Sequence, residues 1–256
     1  MADNQTVRRA GSVTRTAEID AGLRAHMNKV YGLMSVAMIV TGLVSYLVGS
    51  DLNAAMNGQE TRFLSYEMIN TLFFTSPMRY VVLFAPLAMV LLFGTAVKRM
   101  SQAGAQGFFF AFAALMGLSI SSIFAVYTGY SIAQTFFVTS IAFASLSLYG
   151  YTTKKDISAW GSFLIMGVFG LIIAMIVNLF LQSAAIEFAI SALGVLIFAG
   201  LTAYDTQKIK TQYLQVRNHP DGEAIAAKMA IQGALKLYLD FINLFLFLLR
   251  FMGNRN

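Results

Sequence analysis

Leu235-Lys236-Leu237-Tyr238-Leu239-Asp240-Phe241-Ile242-Asn243-Leu244-Phe245-Leu246-Phe247-Leu248-Leu249-Arg250-Phe251 is the stretch that decides how this chain is read. It is apolar enough to sit in lipid and, from Leu235 to Met252, about 27 Å long at the helical rise, yet it carries Asp240. At helical spacing Lys236, Asp240, Asn243 and Arg250 fall on one stripe, because steps of four, three and seven residues return to nearly the same angle. An ionised carboxylate is costly in hydrocarbon, so that stripe is expected to face protein or water and to mark a functional site. The rest of the chain is expected to wrap this helix.

Composition agrees with a bilayer environment. Of 256 residues, 57% are hydrophobic and 12% charged, with a mean hydropathy of +0.67. That excludes an ordinary soluble domain and points to an all-α polytopic membrane protein. Cysteine is absent, which removes disulfides, redox pairs and thiolate metal sites from consideration. His26 and His219 lie in polar segments and read as solvated surface residues. The net charge of +6 is scattered over short loops rather than gathered on a soluble face, so it reads as a topology signal and not as a nucleic-acid surface.

Residues 1–29 form a basic amino-terminal tail without the order of a signal peptide, residues 30–252 a seven-helix transmembrane domain, and residues 253–256 a short tail. The apolar runs are Val30 to Val48, Tyr80 to Val97, Gly107 to Tyr127, Ile132 to Tyr151, Phe163 to Leu181, Phe188 to Tyr204 and Leu235 to Met252. Placing the amino terminus in the cytoplasm puts fourteen Lys and Arg residues inside and only Arg62 and Arg79 in outer loops before the last span, which orients the first six spans. A full crossing of the seventh is preferred to a re-entrant one. The outer segment Gly49 to Ser76 shows no run suggesting a folded unit. Ser76-Pro77 reads as a helix start, and Pro86 is expected to kink its span. Ala113, Gly117, Ser121 and Ala125 form a small-residue stripe that lets a neighbouring helix approach closely.

Asp205 closes the sixth run, and Asp240 lies roughly 9 Å inside the seventh, which starts on the same side. Arg99 ends the second run at the same level. Two aspartates and an arginine at matched depth make an ionisable gate, since each needs another as partner. The competing structural reading has Asp205 at the interface, capped by Lys208 or Lys210, and Asp240 paired with Lys236 at i, i+4. Two neighbouring carboxylates share a proton and titrate as one unit. Calcium takes six to eight oxygens, so two carboxylates with nearby carbonyls form a weak site, suited to a pathway rather than to storage.

Tyr204-Asp205-Thr206-Gln207, followed after a basic loop by Leu237-Tyr238-Leu239-Asp240-Phe241-Ile242-Asn243-Leu244-Phe245 and then Leu248-Leu249-Arg250, resembles the Bax inhibitor-1 family, also called the transmembrane Bax inhibitor motif proteins. The likeness covers nearly the whole chain after the first span. It implies a seven-helix fold with the last helix central, in a bacterial inner membrane, and a pH-sensitive calcium leak. Asp205 and Asp240 match the family's paired aspartates, which sense pH and weakly bind calcium, and Arg99 matches the arginine that latches the closed state. Tyr204, Lys236 and Asn243 stand beside them in supporting positions. The expected partners are the lipid bilayer, calcium and protons, with no nucleic acid and no resident cofactor. Bacterial relatives also include a modulator of a membrane-anchored AAA protease, which makes regulation of such a complex the alternative function. No acidic residue lies between Arg79 and Lys98, so the resemblance does not extend to a second calcium site in the outer half. An intramembrane aspartyl protease is a lesser alternative: Tyr204-Asp205 fits, but Asp240 follows Tyr-Leu rather than Gly-x-Gly and no Pro-Ala-Leu run is present. The chain is therefore not expected to be an enzyme.

Overall fold

The computed structural model describes the backbone of residues 3–75 and 77–255 and the side chains of residues 21–75, 77–97 and 99–255. The helices are α1 (Asp3–Met56), α2 (Tyr66–Ile69), α3 (Met78–Arg99), α4 (Gln102–Ile120), α5 (Ile123–Val126), α6 (Gly129–Thr152), α7 (Trp160–Leu181), α8 (Ala184–Val216) and α9 (Gly222–Met252), with a π-helical turn at Asn70–Phe74. Ser101, Thr128 and Ser183 cap α4, α6 and α8, each accepting from a backbone N–H three residues on, which satisfies one of the orphan donors of a helix start. The start of α3 is different. Pro77 stands at its cap with no side-chain bond, and Ser76 lies outside the described residues.

Among the described residues six helices are long and apolar enough to cross a membrane. Their outward faces carry bulky apolar side chains such as Phe163, Phe180, Leu91 and Leu196, all more than two-thirds exposed, as a lipid-facing surface requires. α9 is set apart by Lys236, Asp240 and Arg250 in its apolar part, and it is the buried element. Leu237 and Tyr238 are wholly inaccessible, and Leu244 and Leu249 nearly so. It packs on α1, α4, α6 and α8, while α3 and α7 sit outside on α4 and α8.

At one end of the bundle α9 turns back from α8, and its register against that helix is fixed where Gly233 meets Ile209 and Gly194 meets the Phe247 ring. At the other end the chain is clasped to the start of α6. The Asn254 carbonyl accepts from the Thr128 N–H at 3.2 Å, the Asn254 N–H donates to Ser131 Oγ at 2.8 Å, and Arg255 meets Glu187 at 2.8 Å. The helix therefore traverses the bundle from end to end, over about 46 Å at the helical rise.

Four local expectations are revised. The segment after Gly49 is folded: α1 continues to Met56, and the buried Asp51 carboxylate accepts the N–H groups of Arg62, Phe63 and Leu64 at 2.6–2.8 Å. The run from Gly107 to Tyr127 is not one helix, because α4 stops at Ile120. α8 runs twelve residues past Tyr204 to Val216, and α9 starts at Gly222, well before Leu235. His26 is 7% exposed rather than solvated, stacked on Tyr213 with ring centroids 4.5 Å apart. The small-residue stripe does bring a helix close: a Cβ added at Gly117 would lie 2.6 Å from the Thr41 carbonyl of α1.

Candidate functional site

Tyr204-Asp205-Thr206-Gln207 sits where α8 is enclosed on several sides, and successive side chains about 100° apart meet different neighbours. The Tyr204 ring lies against Gly161 of α7. Asp205 faces α9 and forms an ion pair with Lys236 at 3.6 Å. Thr206 joins Ser147 of α6 at 2.9 Å. Gln207 accepts from the Ile157 N–H at 3.0 Å and donates to the Lys155 carbonyl at 2.8 Å, tying down the α6–α7 loop.

On α9, Asp240 lies one turn beyond Lys236 and is 5% exposed. Among the described residues its buried Oδ2 has no hydrogen-bond partner. The charges of Asp205 and Lys236 both reach it, so the three side chains form one electrostatic unit across the α8–α9 seam. The Lys236 side chain is 41% exposed against 14% for Asp205. The ammonium group is thus the wet end of the unit and Asp240 the dry end.

The residues singled out by sequence do not all converge here. Lys208 donates to the Tyr204 hydroxyl at 3.2 Å while its charge acts on Asp205, and Lys210 donates to the Tyr151 carbonyl at 2.7 Å. Arg99 is exposed at the end of α3 and, among the described residues, makes no ion pair with either aspartate; the cation that meets Asp205 is Lys236. Tyr204 is turned to α7. Asn243 is half-buried and donates to the Leu239 carbonyl at 2.8 Å, closing a turn of its own helix. Arg250 is exposed and, among the described residues, its hydrogen-bond contact is the Met175 sulfur, at 3.9 Å.

Two hydrogen-bond chains brace the seam. Thr206 gives its proton to the Thr202 carbonyl at 2.7 Å and must therefore accept from Ser147, which in turn accepts from Tyr31 at 2.6 Å. The chain Tyr31 to Ser147 to Thr206 links α1, α6 and α8 one residue from Asp205. Thr41 likewise donates to the Ala113 carbonyl at 2.8 Å, so it accepts from the Tyr238 hydroxyl at 2.7 Å. That fastens α9 to α1 and α4 on the side opposite Asp240. Phe109 and Phe112 both meet the Tyr238 ring edge-on at 5.8 Å. Thr206 was legible from its place beside Asp205. Ser147, Tyr31 and Thr41 lie in apolar runs where nothing in the sequence separates them from other small or aromatic residues.

The sequence model of a family described as inhibitor of apoptosis-promoting Bax1 matches residues 23–256. An uncharacterised protein of Caulobacter vibrioides is 44% identical over 240 residues, covering 92% of this chain and 90% of the relative. A Rickettsia prowazekii protein, also uncharacterised, is 42% identical over 244 residues, 95% of each chain. The inner membrane protein YbhL of Escherichia coli is 40% identical over 235 residues, 92% of this chain and 94% of the relative.

Proposed function

We propose that this chain, which belongs to the Bax inhibitor-1 family, is a pH-sensitive cation leak of a bacterial inner membrane, gated by Asp205 and Asp240 and carrying calcium. The amino terminus is cytoplasmic in this reading. The observation that carries it is the Asp240 carboxylate, buried with Oδ2 unpartnered within electrostatic reach of Asp205. With both carboxylates ionised, the seam places two negative charges side by side in a low-dielectric setting, with the Lys236 and Lys208 charges acting on Asp205 but only that of Lys236 on the deeper Asp240; one shared proton removes the repulsion between the carboxylates. Protonated, the pair lets α8 and α9 stay packed. Deprotonated, it pushes them apart and opens an oxygen-lined passage. Among the described residues no three His, Asp or Glu lie together, so a cation meeting this pair would be held weakly, as passage requires.

The test is calcium flux into liposomes carrying the purified protein, from pH 6 to 8. The wild type is expected to show pH-dependent flux. Asp205→Asn and Asp240→Asn are each expected to abolish that dependence, because the amide keeps the shape but cannot ionise. The double variant should add little, since members of one unit are not additive. Absence of wild-type flux throughout this range, together with capture of a membrane-anchored protease that is lost on deleting residues 1–24, would overturn the leak in favour of a regulatory role.

A further inference from the structure

We infer that a cleft between α1 and α6 at the basic end of the bundle binds an anionic phospholipid, with its phosphate at Arg24. The two helices present facing stripes: Arg24, Asn28 and Tyr31 from α1, and Phe143, Ala144 and Leu148 from α6. Between them lies a cavity of about 450 Å³. Its polarity is graded as a lipid's is. Arg24 and Asn28 are exposed at the outer end, and Phe143, Ala144 and Leu148 supply an apolar wall one to two turns further into the bundle.

Arg24 forms no ion pair among the described residues, and on the other wall Lys210 holds its ammonium group at the carbonyl of Tyr151, itself a lining residue. A phosphate diester placed here meets positive charge and the amide of Asn28, and its acyl chain runs down the apolar wall. Tyr151 flanks the mouth as an amphipathic ring suited to the headgroup level. A partner helix is a poorer occupant, since the gap is closed on the inside by the Tyr31–Ser147 hydrogen bond and has room for a chain of methylenes rather than a helix about 10 Å across. The apolar wall also separates this ligand from a free phosphate ester, which has nothing to place against it.

Native mass spectrometry of the purified full chain tests the site without reference to flux, so its failure is distinct from failure of the leak. Phosphatidylglycerol and phosphatidylcholine with the same acyl chains are offered in turn. The wild type is expected to retain phosphatidylglycerol about tenfold better. Arg24→Glu and Ala144→Trp, the latter filling the cavity from an exposed position, are each expected to remove most of that preference while Tm stays close to wild type. Lys29→Glu makes the same charge change on α1 outside the cleft and is expected to preserve it. Equal retention of both lipids by the wild type, an equal loss from Lys29→Glu, or undiminished preference in both cleft variants would overturn the proposal. Displacement of the lipid by glycerol 3-phosphate alone would also overturn it, by assigning the site to a soluble phosphate ester.

Discussion

Lys236 forms the ion pair with Asp205 at 3.6 Å, and it differs in chemistry from Arg99, the residue to which the family resemblance assigns a latch. An arginine arriving from α3 would lock a third helix to the seam, whereas Lys236 sits one turn from Asp240 on the same helix and reaches across only to α8. Lys236→Met is therefore expected to alter the pH profile of flux more than Arg99→Ala, because it removes the cation that is ion-paired with Asp205. Flux measured in liposomes for both variants checks this; an equal effect would return the latch to Arg99. Tyr238 offers a separate test. Tyr238→Phe removes one buried hydrogen bond to Thr41 and is expected to cost about 1 kcal/mol, read as a lowered thermal midpoint with the pH profile intact. The carboxylates were legible because a charge inside an apolar run is conspicuous. The partner of Arg99 was not legible, since depth in a sequence gives the level of a side chain but not the direction in which its helix points it.

At the scale of elements, α1 and α4 are joined through small residues. Gly117→Leu is expected to drive a side chain into the α1 backbone at Thr41 and to destabilise the bundle by about 2 kcal/mol or more; denaturation in mild detergent measures it. The stripe that implies this contact was visible in sequence because period four is a strong pattern. Helix ends were not. α8 continues through Asp205 and Lys208 to Val216 because Thr206 and Ile209 still bury one face, and a hydropathy average does not register a helix that is polar on one side only. Hydropathy also passes over the stop at Ile120, where two serines follow without lowering the apolar run enough to divide it. The Asp51 clamp was hidden for another reason: its partners are backbone N–H groups 11 to 13 residues away, which have no sequence signature.

For the whole molecule, the charge asymmetry of the loops and the end-to-end course of α9 make a joint statement about topology. Reporter fusions after Lys154 and Arg217 are expected to lie in the cytoplasm and one after Asn256 outside; a cytoplasmic reporter at Asn256 would contradict a full crossing. The central position of α9 also bears on how the protein is made. Synthesis proceeds from the amino terminus, and membrane helices insert before they associate, so the six apolar helices that precede α9 enter the bilayer before the element that four of them pack against exists. Until α9 arrives, Thr41 lacks the Tyr238 hydroxyl, Asp205 lacks Lys236 and the Phe109–Phe112 face lacks the Tyr238 ring. A ribosome stalled after Val216 would leave a membrane-inserted but unassembled intermediate, and a chain truncated there is expected to be degraded by quality-control proteases far faster than the full-length product in a pulse-chase experiment.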